Sequence, residues 1–281
     1  MRRVPRPTVS ARDSFTMCIS LVRNADLKQR LQSVADHVAT QSVNYQLRAS
    51  AARLDLIQQT DNVASAVTTK EMVAVYDQRM AGKNGPGRHI YDKIKSLPQF
   101  GICPFCDHRP VSTLDHLLPK GLFPDFAVTP DNLIGACADC NKLKLDFAPL
   151  TEADVLLHPY FDNVENGRWL TAEVVEGRVA AVLFRTKPVA EWPSVLNARV
   201  EQQFKMLGLS SLYGAQAARE ISEQAFLLGN IHDSSGADDV RAELLGQAQS
   251  REYAYLNSWR AVMCRALGES NWFCNGGFCG A

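Results

Sequence analysis

Two cysteine pairs carry the chemistry that is easiest to read, Cys103-Pro-Phe-Cys106 and Cys137-Ala-Asp-Cys140. Two residues between thiols let both sulfurs turn toward one ion, and four thiolates complete a tetrahedral shell with no open position. That is the donor set of a structural zinc site. A closed shell does no chemistry of its own, so reactive groups must lie elsewhere. The 30 residues at 107–136 separate the knuckles, more than a simple ribbon needs. Within them stands Leu114-Asp115-His116-Leu117-Leu118-Pro119-Lys120, followed by Pro130-Asp131-Asn132-Leu133. The second knuckle then runs directly into Asn141-Lys142-Leu143-Lys144.

An aspartate beside a histidine, with later asparagines, offers a proton acceptor and oxygen donors for a hard cation. An imidazole with an ordinary pKa near 6.5 can take a proton from water at neutral pH, the role that falls to His116. A hard divalent ion such as Mg²⁺ or Mn²⁺ prefers oxygen donors and keeps positions open for phosphate and water. Asp115 and the amide oxygen of Asn141 would supply two of its ligands. Neighbours on a regular strand point to opposite faces, so Asp115 and His116 are expected to divide the labour rather than share one ion. Lys120, Lys142 and Lys144 are the candidate contacts for a nucleic-acid backbone.

The order DHLLPK, then PDNL, then CADCNKLK resembles that of HNH endonucleases, over residues 101–144. The resemblance implies a zinc-stapled, treble-clef-like ββα-metal module and a phosphodiester hydrolase, with DNA the first substrate to test. It also implies that Asn132 orients His116 by fixing the loop around it. The pattern departs from the family's name at its last position, where Asn141 stands in place of histidine. The family admits asparagine there, and an amide oxygen suits a hard ion. The LDHLLPK core, the later HPYFD at 158–162 and the ending WFCNGGFC at 272–279 also look like HNH subunits encoded with ATPases in bacterial anti-phage systems. That likeness implies an ATPase partner subunit and a defence role. A free-standing nuclease, a mobile-element nuclease, a non-catalytic zinc-stapled nucleic-acid-binding module and a protein-interaction scaffold remain as alternatives.

The elements that must position these residues can be read from pattern. The 281 residues suffice for a sizeable core, and the 46% hydrophobic and 21% charged content is that of ordinary globular chains. The expected class is α+β and mostly helical, in three segments: a helical region at 1–98, the nuclease module at 99–160, and a β-hairpin with helices at 161–281. Leu27, Leu31, Val34, Ala35 and Val38 have helical spacing. Thr68 with Glu71 fits a capping box, and GKNGPG at 82–87 then breaks the chain. Runs at 169–175 and 179–185 predict a hairpin, and Leu196, Val200, Phe204 and Leu207 predict a helix capped by Gly208.

The formal net charge is zero. A surface that grips nucleic acid everywhere would be basic, so any contact must come from a local patch. No apolar run reaches the roughly 18 to 20 residues that span a bilayer, and no secretory leader is evident, so a cytoplasmic location with no membrane partner is expected. In a reducing compartment the paired cysteines favour metal over disulfides. Cys264, Cys274 and Cys279 lack an obvious fourth ligand, and the tail is expected to dock by its aromatics.

Overall fold

Local capping decides where several helices begin. In the computed structural model, which describes residues 1–279, Ser10 accepts from the Asp13 N–H at the start of α1 (Ala11–Ile19). Asn24 does the same for Leu27 at α2 (Ala25–Ser33). The apolar stripe across residues 27–38 is broken at Val34, and α3 (Ala35–Ser50) follows at once. A two-residue strand pair, β1 (Asn62–Val63) and β2 (Val67–Thr68), leads into α4 (Thr69–Ala74). Thr68 and Glu71 form the reciprocal capping box that their spacing predicts. The helix then widens into π geometry over Val75–Met80, a feature frequent at functional sites. α5 (Arg88–Lys95) precedes the first knuckle.

β3 (Thr113–His116) and β4 (Leu133–Ala136) pair antiparallel, with Asp115 opposite Ile134 and His116 opposite Leu133. α6 (Ala138–Lys144) follows directly. The end of α5 lies so close to β4 that a Cβ on Gly135 would meet the Lys95 carbonyl at 2.9 Å and the Pro98 ring at 3.0 Å. Only glycine admits that approach.

The chain forms two units, Met1–Asn163 and Val164 onward. Texture divides residues 1–98 from 99–160, but the structure joins them. Leu114, Ala127, Val128 and Leu133 share one buried core with Phe15, Leu31, Val38, Tyr76 and Ile94. Two four-residue strands have too little apolar surface to close their own core, so the N-terminal helices supply it.

In the second unit β5 (Leu170–Val175) pairs antiparallel with β6 (Ala181–Thr186). After them come α7 (Ser194–Met206), α8 (Leu209–Ser235), α9 (Ala237–Ala254) and α10 (Trp259–Glu269). Gly208 takes the left-handed conformation (φ 58°) that ends α7. Trp169 is fully buried, and Asn257 ties the backbone at Gly167, Trp169 and Leu170. In the tail Phe273 and Phe278 are buried 5.6 Å apart. The described residues form a mostly helical α+β fold with three small two-stranded sheets. Among the described residues no helix is long and apolar enough to cross a membrane.

Glu71 also binds Arg30 through two oxygens, at 2.7 and 2.9 Å. The guanidinium pulls its carboxyl from the ordinary 4.5 down to about 2. A depressed folded-state pKa stabilises above the unfolded value and loses that effect as pH falls through the folded one. The stability gap between wild type and Glu71→Gln should therefore be full above pH 4.5 and close toward pH 2. Urea unfolding across that range measures it; a gap independent of pH would refute the assignment.

Candidate functional site

Cys103, Cys106, Cys137 and Cys140 are all buried, and their sulfurs lie within 4.8 Å of one another. A tetrahedral ion with bonds of about 2.3 Å sets its sulfurs about 3.8 Å apart, and Cys106 and Cys137 lie at 4.0 Å. The group can hold a metal ion such as zinc. The Arg109 amide donates to Cys106 Sγ and the Cys140 amide to Cys137 Sγ, at 3.5 and 3.4 Å. Cys137 is also the N-cap of α6, so the sulfur faces the positive end of a helix. The contact with Cys103 draws its thiol below the ordinary value. The knuckles thus join the chain just before β3 to the start of α6.

Asp115 and His116 end β3, both buried. The His116 Nε2 lies 2.8 Å from the Ala127 carbonyl. A carbonyl can only accept, so Nε2 carries the proton and Nδ1 keeps the lone pair. Burial lowers the imidazole to about 3, despite the Ala127 hydrogen bond, and the Lys120 and Lys144 ammoniums add to the effect. The ring is therefore neutral at physiological pH. Tyr76, on the π segment, meets it edge-on at 4.3 Å, and Lys120 lies over the Tyr76 ring while pairing with Asp77 at 3.0 Å.

The Asn132 side chain spends its hydrogen bonds on the loop that holds the imidazole. Its amide oxygen accepts from the Leu118 N–H and the Tyr45 hydroxyl, and its NH₂ donates to the Leu118 and Phe126 carbonyls. Phe126 precedes Ala127, the carbonyl that orients His116. Behind it Tyr45 contacts His158 Nε2 at 3.2 Å, and Tyr160 donates to the Leu133 carbonyl at 2.6 Å. HPYFD is thus an internal brace. Tyr45 and Tyr76 carry no motif, and only a position within an aromatic or apolar pattern marks them in the sequence, whereas His158 and Tyr160 stand in the HPYFD stretch.

Tyr45→Phe should lose the two buried hydrogen bonds of its hydroxyl, about 2 kcal/mol, while Asn132→Ala loses four and frees several backbone groups and should lose about 4 kcal/mol. Chemical denaturation of both variants measures the ratio. Equal losses would show that Asn132 does not pin the loop.

The lysines separate. Lys142 is exposed on α6 and Lys120 partly so. Lys144 departs from the surface role expected of it: it is only 4% exposed and sits 3.3 Å from Asp115 Oδ1. A buried carboxylate draws the nearest ammonium inward, because neither charge is tolerable there alone. Burial raises the Asp115 carboxyl to about 6 against the pull of Lys144. Asn141 lies one helical turn before Lys144, which puts the two on one face of α6.

No family model matches the chain, and no solved structure does. It is similar to protein ea31 of Escherichia phage lambda, 24% identical over 298 residues, covering 98% of this chain and all of that protein.

Proposed function

We propose that the chain is a metal-dependent HNH endonuclease that hydrolyses phosphodiester bonds, in DNA before RNA. The observation that carries this reading is the join of a β3–β4 hairpin ending in Asp115-His116 to the helix bearing Asn141, through four clustered cysteines. A zinc ion at those cysteines would clamp hairpin to helix. His116, neutral and with its Nδ1 lone pair free of the Ala127 contact, takes the proton of the attacking water. Asn132 holds the loop that sets the ring. Asp115 and Asn141 would hold Mg²⁺ or Mn²⁺, and the buried Asp115 Oδ2, without a hydrogen-bond partner among the described residues, fits that donor set. An ion there supplies Lewis-acid polarisation of the scissile phosphate. Lys142 and Lys120 meet the flanking phosphates.

The resemblance further suggests an ATPase partner and an anti-phage setting, while similarity to a phage-encoded protein fits a nuclease carried on mobile DNA. A second reading, a non-catalytic zinc-stapled module that binds nucleic acid or protein, draws on the burial of Asp115 and His116, 3% and 7% exposed. Incubation with supercoiled plasmid, linear duplex and RNA in Mg²⁺ or Mn²⁺ decides between them. Cleavage that EDTA stops supports the nuclease; intact substrates under every condition overturn it.

A further inference from the structure

Lysine is almost never fully buried unless paired, and Lys144 is paired in an unusual way. Its Nζ donates to the His116 carbonyl at 2.6 Å and to the Leu145 carbonyl at 3.4 Å. It also lies 3.3 Å from Asp115 Oδ1, both side chains 3% exposed. Asp115 Oδ2 is left buried with no partner among the described residues. A carboxylate half-satisfied in a dry site is costly. The ammonium therefore fills a seat made for a cation, with carbonyl and carboxylate oxygens around it, yet leaves one carboxylate oxygen unused. A divalent ion carries twice the charge and accepts more oxygen ligands than an ammonium has protons.

We propose that Lys144 is an internal competitor for the divalent ion: its ammonium holds Asp115 until the ion arrives, and the ion displaces it. This rests on the reading of Asp115 as a metal ligand. The lysine stem is flexible, and Lys144 is the last residue of α6, where a swing outward disturbs no helical turn beyond it. The displaced ammonium would emerge from the face of α6 that bears Asn141, where a phosphate bound to the ion would lie. Apparent affinity for the ion scales with the fraction of molecules in which Lys144 has left the seat empty.

The test uses Mn²⁺ and the full-length, zinc-loaded protein. Electron paramagnetic resonance of free Mn²⁺ gives the affinity of wild type, Lys144→Met, Lys144→Arg and Asp115→Asn. Lys144→Met should bind about tenfold more tightly than wild type, Lys144→Arg should stay close to wild type, and Asp115→Asn should lose the site. Because Lys144→Met leaves a buried carboxylate unpaired and can fold poorly, a measurement on wild type stands beside it. Acetylation of Lys144 by acetic anhydride, followed by mass spectrometry, should be slow without Mn²⁺ and rise about tenfold once Mn²⁺ is bound. If wild type binds Mn²⁺ through Asp115 while Lys144 stays protected, or if Lys144→Met folds and binds no tighter, the competition is refuted and the metal site survives. If Asp115→Asn binds as wild type does, or wild type binds no Mn²⁺, the metal-site reading falls and the competition with it.

Discussion

His116→Ala is expected to remove nearly all Mg²⁺- or Mn²⁺-dependent cleavage, a loss of about 10²- to 10⁴-fold in rate. The imidazole is held so that only one nitrogen can act. Nε2 is committed to the Ala127 carbonyl, which leaves Nδ1 as the acceptor of a proton from water. Burial keeps the ring neutral at pH 7, which leaves the lone pair available but makes it a weaker base than the ordinary imidazole expected from the sequence. The ring also packs against Tyr76, and its truncation should lower stability by about 1–3 kcal/mol. A thermal midpoint measured alongside the assay separates that packing loss from lost chemistry. His116→Gln restores a polar side chain of similar reach without a general base, and should stay as inactive as alanine while recovering part of the stability. Cleavage that persists unchanged in a folded His116→Ala protein would remove His116 from the mechanism.

Loss of the ion from the four-cysteine group should unfold the hairpin and the start of α6. Cys103→Ser, Cys140→Ser and treatment with a strong chelator are three routes to that state. Each should abolish cleavage and reduce stability by more than about 4 kcal/mol, since structural zinc contributes on the order of 10 kcal/mol in small folds. The magnitude follows from how short the elements joined by the cysteines are. β3 and β4 have four residues each, and α6 has seven. Segments so short do not persist alone in water. The N-terminal helices cover the inner side of the hairpin, so the first unit should keep part of its helical signal after chelation. Elemental analysis should find one zinc per chain, and readdition should restore the fold. A metal-free chain that stays fully folded would show that the cysteines only pack.

The four-cysteine group is legible in the sequence itself. CxxC at 103–106 and 137–140 is a local signal, because two-residue spacing alone turns the sulfurs together. The capping box at Thr68 and Glu71 and the hairpin near 169–186 are local too, written in residues that touch within one turn. Asn132 is marked in the sequence only through the resemblance, and the four hydrogen bonds by which it ties the loop are announced by no spacing. Lys144 shows the opposite case. A lysine at the end of an amphipathic helix reads as solvated, and its burial depends on Asp115, which is distant in sequence and itself forced inward by the pairing of β3 with β4.

What residue type and spacing determined, then, was the donor inventory: four thiols able to take one ion, and an aspartate, a histidine and two asparagines in a fixed order. Only the tertiary structure decided which of these groups would be dry, which tautomer His116 adopts, and which ammonium would face Asp115. The physical reason is range. Thiol spacing and helix caps act over a few residues, whereas desolvation is imposed by whatever elements close over a group, here helices and a Tyr45 contact 87 positions away along the chain.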